Sequence, residues 1–159
     1  MNIQRLNDVM ASMLDCLCAA MASIAEAGGP EVCMCVMLPG ESVPLDYCAE
    51  SGCGGMAWVR LVRIGEDESL DTTSLRSCFV PMMAEVEMGV IRGYEFDGEI
   101  IPDEEDQLSM SIRQLDDAAA MSRAMSCCAT EHEFRVANYT PSGPQGGCYG
   151  GVWTAQVPL

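Results

Sequence analysis

The sequence has no lysine, one histidine and few aromatic residues, with Phe, Trp and Tyr together at 6%. All 8 of its bases are arginine, set against 24 acids, for a formal net charge of −16. A surface of that sign repels phosphate at long range, which excludes gripping nucleic acid as a primary role and disfavours anionic membranes. A polyanion can still pass close by without being held. No stretch approaches about 18 unbroken apolar residues, so no membrane-spanning helix is expected. The N-terminal "MNIQRLNDVMASMLDC" lacks the basic segment and apolar core of a signal peptide, which points to synthesis in a cytoplasm. Also missing are a Gly-x-Ser-x-Gly elbow, a phosphate-binding Walker loop and a dinucleotide fingerprint. The lone His132, in "TEHEF", falls on an expected strand with Glu131 and Glu133 on the opposite face, so it lacks partners for catalysis or metal binding. No enzyme activity and no cofactor are expected.

What the chain has in plenty is apolar residues, at 49%, beside only 20% charged. At 159 residues this predicts one compact domain over 1–159 with a real core. Ten cysteines and thirteen methionines stand out. Without an export signal, thiols are favoured over a disulfide framework, with Met and Cys as adaptable core fillers. Two alternatives stay open. A zinc site would draw on Cys48, Cys53, Cys127 and Cys128, although Cys48-x4-Cys53 and a vicinal pair depart from the usual ligand spacing. A disulfide between loop cysteines, formed after release into an oxidising medium, is the other. Cys16 with Cys18, and Cys33 with Cys35, are poor metal pairs: on a helix the first two diverge, and on a strand the second two share a face.

Apolar residues at steps of three and four from Ile3 to Ile24 predict a helix over 3–26, capped by Asn2 and stopped at Gly28-Gly29-Pro30. Short alternating or apolar runs predict strands at 31–40, 56–65 and 84–96, with a long acidic loop over 66–82. Pro102 and Asp103 open a second helix, and the acids from Asp103 to Asp106 suit its N-terminus. Leu108, Ile112, Leu115, Ala119 and Met125 are read as its inward face. Strands at 131–139 and 151–159 follow, separated by a Gly- and Pro-rich loop. The order helix, three strands, helix, two strands predicts an α+β fold, with a mostly antiparallel sheet of about five strands and two long helices on one side.

The glycines of "CAESGCGGMAWVRL" and "YTPSGPQGGCYGGVWTAQV" permit positive φ and close backbone approach at turns that launch strands. Together with "DEEDQLSMSIRQLDDAAAMSRAMSCC", these runs resemble the tail terminator proteins of long-tailed bacteriophages that infect actinobacteria. The resemblance covers about Asp46 to Val157, and the order of elements is similar too. It implies a structural virion protein of the neck, assembled in the host cytoplasm. Such proteins form a ring, a hexamer in that family, that caps the tail tube, ends its growth and joins tail to head. The implied partners are further copies of the chain, the tail tube protein and the head-completion or connector proteins. Double-stranded DNA passes through the lumen unheld. On this reading Glu66, Asp67, Glu68 and Asp71 face the lumen or tube end, and Gly52, Gly54, Gly55, Gly146, Gly147 and Gly150 lie at subunit-interface loops. The alternatives are a head-completion or stopper protein, a zinc- or thiol-dependent small enzyme, and an acidic module that mimics DNA.

Overall fold

The computed structural model describes residues 2–40, 42–43, 54–66, 81–94, 102–128 and 132–159. Helix α1 spans Ile3–Glu26, and the Asn2 side chain accepts a hydrogen bond from the Arg5 backbone N–H at 3.1 Å. That cap satisfies one of the orphan donors of the first turn. Gly28, at φ 85°, turns the chain out of the helix. Leu6, Val9, Met10, Met13, Leu17 and Met21 are buried along one stripe. By length and composition alone, α1 is apolar enough to cross a membrane. Counting only unbroken apolar runs missed this property. In the fold the stripe serves the protein core instead.

Five strands follow: β1 (Met34–Leu38), β2 (Gly55–Glu66), β3 (Met82–Gly93), β4 (Arg135–Gln145) and β5 (Cys148–Pro158). They form one sheet in the order β1-β2-β3-β5-β4, with β1 parallel to β2 and every other pair antiparallel. The protein is thus α+β with a mixed, mostly antiparallel sheet and two described helices. Its last two strands form a tight hairpin, not the separated pair expected from the sequence. Residues 140–145 belong to β4, and Gly146-Gly147, both at positive φ, make the two-residue turn. That geometry matches the right-handed strand twist, so the prolines and glycines there do not enforce a long loop. His132 falls just before β4 and not within a strand.

Helix α2 spans Glu104–Cys128, and here the expected face is wrong. Met110, Asp117, Ala118, Ala120, Met121, Ala124, Met125 and Cys128 are buried, whereas Leu108, Ile112, Leu115 and Ala119 are exposed. Of the anticipated stripe only Met125 points inward. Alanines alternate with methionines on this buried face, and at Ala118 the helix lies close to its neighbour: the Trp153 indole N–H donates to the Ala118 carbonyl at 3.0 Å.

One buried cluster joins α1 and α2 to Ala57, Val59, Ala84, Val86, Met88, Val90, Ala155 and Val157 of the sheet. Each large side chain in it contributes about 2 kcal/mol of apolar burial. A second cluster, Met56, Trp58 and Ile91, occupies the other face of β2 and β3. There Gly89 lies opposite Trp58 in the register, and a Cβ at Gly89 would overlap the indole ring. This glycine is set by close side-chain approach.

The cysteines overturn the expectation of thiols. Cys16 bonds to Cys128 and ties α1 to the end of α2, while Cys18 bonds to Cys35 and ties α1 to β1. Cys33 and Cys148 are disulfide-bonded as well. The divergence of Cys16 and Cys18 on the helix, which argued against a metal pair, lets each reach a different element. The closed loops span 112 and 17 residues. Chain-entropy arguments give such cross-links about 5 and about 3 kcal/mol respectively.

Candidate functional site

The best-defined polar cluster lies between β3, α2 and the chain leaving α1. Arg92 projects from β3 into the core and meets Asp117 of α2 side-on: Nε to Oδ2 and Nη2 to Oδ1, both at 2.7 Å. The two side chains are only 2% and 4% exposed. The remaining guanidinium nitrogen donates to the Pro30 carbonyl at 3.0 Å. Gly55, opposite Arg92 in the register, leaves room for that side chain. Burying both charges is costly unless donors and acceptors are matched, and this two-pronged geometry matches them. The sequence reading missed the pair. Its only sign was an acid, Asp117, at a position that continues the Met110–Met121 spacing.

Nearby, the Tyr139 and Trp153 rings pack with centroids 5.6 Å apart. Burial, reinforced by the negative charge of Asp117, pushes the Tyr139 phenol up to about 12. Its hydroxyl and that of Tyr149 are buried, with no hydrogen-bond partner among the described residues. The chemistry of this cluster is static. Arg92 and Asp117 occupy each other, and Tyr139 holds its proton far above neutral pH. No group of three or more His, Cys, Asp or Glu able to hold a metal occurs among the described residues. The disulfide at Cys128 removes one of the four cysteines of the zinc or thiol alternative.

The described residues among those singled out from sequence separate to two ends of the sheet. Gly55 opens β2, with Gly54 just before it, and Gly146 and Gly147 form the β4–β5 turn. The Tyr94 N–H, just past β3, donates to the Gly147 carbonyl, so these glycines share one end. Gly150 and Gly55 lie within strands and not loops, where a Cβ would strike the carbonyls of Val90 and Ile91. Glu66 closes β2 at the opposite end, paired with Met82. Twelve residues of strand separate the two ends by about 36 Å. Gly52, Asp67, Glu68 and Asp71 lie outside the described residues, as do Cys48 and Cys53.

Edge strands are a further expected interface, and the structure gives one of them its residues. Strand β4 is an edge strand, and every residue of it except Tyr139 is exposed. Pro141 and Pro144 cannot donate, so strand addition is blocked over the second half of this edge. Arg135 to Thr140 have N–H groups, and a register shift between Val136 and Tyr139 interrupts the regular ladder within this stretch. Exposed edges are a known surface for strand addition. Set against models of protein families and against curated proteins, the sequence matches none of them.

Proposed function

We propose that this chain is a non-enzymatic structural protein of the phage neck, a tail terminator. It acts as a ring of copies that caps the tail tube and joins it to the DNA-filled head. The observation that carries this reading is the open β4 edge, which supplies a surface for joining unlike faces of adjacent copies around a closed cycle. On this reading the whole chain keeps the order helix, three strands, helix, two strands, with both helices on one face of the sheet. The glycine-bearing end, with Gly54, Gly55, Gly146 and Gly147, borders the neighbouring subunit. The acidic end, begun by Glu66 and continued by Asp67, Glu68 and Asp71, faces the lumen or the tube. A bore of that charge does not exchange counterions with the duplex and lets it slide. The static Arg92–Asp117 cluster suits a part that works by shape. The disulfide-bonded cysteines, six of them among the described residues, suit a particle that functions outside a reducing cytoplasm.

The test is immuno-electron microscopy of the intact particle with antibody against this chain. Label at the junction of tail tube and head supports the terminator, label confined to the portal side of that junction assigns the stopper instead, and label elsewhere ends the reading. In the same particles, replacing Val136 and Asn138 by Lys along the β4 edge is expected to leave tails of uncontrolled length, with the chain itself folded.

A further inference from the structure

The outward face of α2 carries a feature that the ring reading does not use. Leu108, Ile112 and Leu115 are 61%, 52% and 67% exposed, and they lie in one row with the exposed Ala119. Steps of four, three and four residues keep a helix row in line. A row of large apolar side chains turned to water in so acidic a protein calls for a cover. The flanking charges indicate which cover. Glu105 and Arg123 are both exposed, and neither makes an ion pair among the described residues. They stand 18 residues apart, five full turns at about 3.6 residues each, so they share one line beside the apolar row, roughly 27 Å from each other. The midpoint of that pair is position 114, and the midpoint of the row from Leu108 to Ala119 lies between 113 and 114.

A helix whose apolar row and opposite flanking charges share one midpoint is complementary to itself when reversed. We propose that the outer face of α2 is a self-association surface, pairing two copies of the chain antiparallel about a two-fold axis that crosses this face at the level of position 114. In antiparallel helix pairs, matching flanks meet. Glu105 of each copy therefore falls beside Arg123 of the other, closing two ion pairs around the shared apolar strip. Asp116, exposed on the same flank two residues from the axis, comes near its own symmetry mate. This contact is unfavourable. The contact is isologous and closes as a dimer. It does not rest on the ring reading, because a ring built through the β4 edge leaves α2 untouched.

Sedimentation velocity of the full, oxidised chain tests this across concentration. The unmodified chain is expected to show a reversible monomer–dimer equilibrium at or below about 100 µM. Glu105→Arg and Arg123→Glu, each of which turns two attractive contacts into repulsive ones, should each weaken the dimer at least about tenfold. Mixing these two variants restores complementary pairs and should restore the dimer, which no merely structural role of either residue would do. Asp116→Asn should tighten it. A chain that stays monomeric throughout overturns the proposal, as does a dimer that the two charge reversals leave unchanged. Failure of the mixture to recover, or an Asp116→Asn dimer no tighter than the original, overturns the placement of the axis. Circular dichroism of each exposed-site variant confirms that the fold is retained.

Discussion

The two helices are nearly equal in length, 24 and 25 residues, and each starts behind a side-chain cap, Asn2 for α1 and Asp103 for α2. Yet, apart from methionine, the residues they bury differ. Helix α1 turns its Leu, Val and Met row into the core, whereas α2 buries alanines, methionines and an aspartate and leaves its leucines in water. Hydrophobic period identifies a helix in both cases. It identifies the buried face only where a single apolar row exists. In α2 two rows compete, and the choice falls to close approach and to Asp117, which has to meet Arg92. A buried guanidinium without a counter-charge costs more than a few exposed leucines do.

That contrast can be broken most directly at the ion pair. Replacing Asp117 by Asn leaves Arg92 buried and uncompensated, and is expected to cost about 3–5 kcal/mol of folding stability. Replacing both partners, Arg92 by Met and Asp117 by Leu, should recover most of that loss. Denaturant unfolding of the two variants measures the difference, and equal losses in both would mean that the pair does not decide which face α2 buries. The next largest effect sharpens the comparison between rows. Leu17→Ala in α1 removes a fully buried side chain and is expected to cost about 2–5 kcal/mol. Leu115→Ala in α2 should change the stability of the monomer by no more than about 0.5 kcal/mol. Comparable losses at the two leucines would show that the outward row of α2 belongs to the core after all.

The smallest expected effect is a dependence on pH. The folded-state value of Tyr139 is raised from 10.0 to about 12, by burial and then by Asp117. The native state therefore holds the phenolic proton more tightly than the unfolded chain. Its contribution is fully present below pH 10 and is lost as pH rises through 12. Tyr139→Phe should flatten the alkaline decline of thermal stability over that window. An unchanged slope would remove Tyr139 as its source.

Much of the architecture was legible from local pattern. Both helices, the cap at Asn2, the first three strands and the opposed faces of β2 and β3 follow from spacing and turn chemistry. The β4–β5 hairpin was misread because Pro141, Pro144 and the glycines resemble a loop. On an edge strand prolines cost little, and two glycines are enough for the turn. The partners of Cys16 and Cys18 were illegible, because which elements lie opposite each other is not a property of either segment alone. The same holds for Arg92 with Asp117. Of the candidate site, the clustering of Gly54, Gly55, Gly146 and Gly147 at one sheet end required the register of three strands.

The amino-acid order alone determined where backbone hydrogen bonding becomes regular, since periodicity, caps and turn residues act over a few positions. It also determined the strongly acidic surface. Only the tertiary structure decided which row of α2 faces inward, which cysteines meet and which carboxylate neutralises the buried arginine. Those outcomes depend on the distance between residues far apart in the chain, and that distance is set by side-chain packing of all the elements at once.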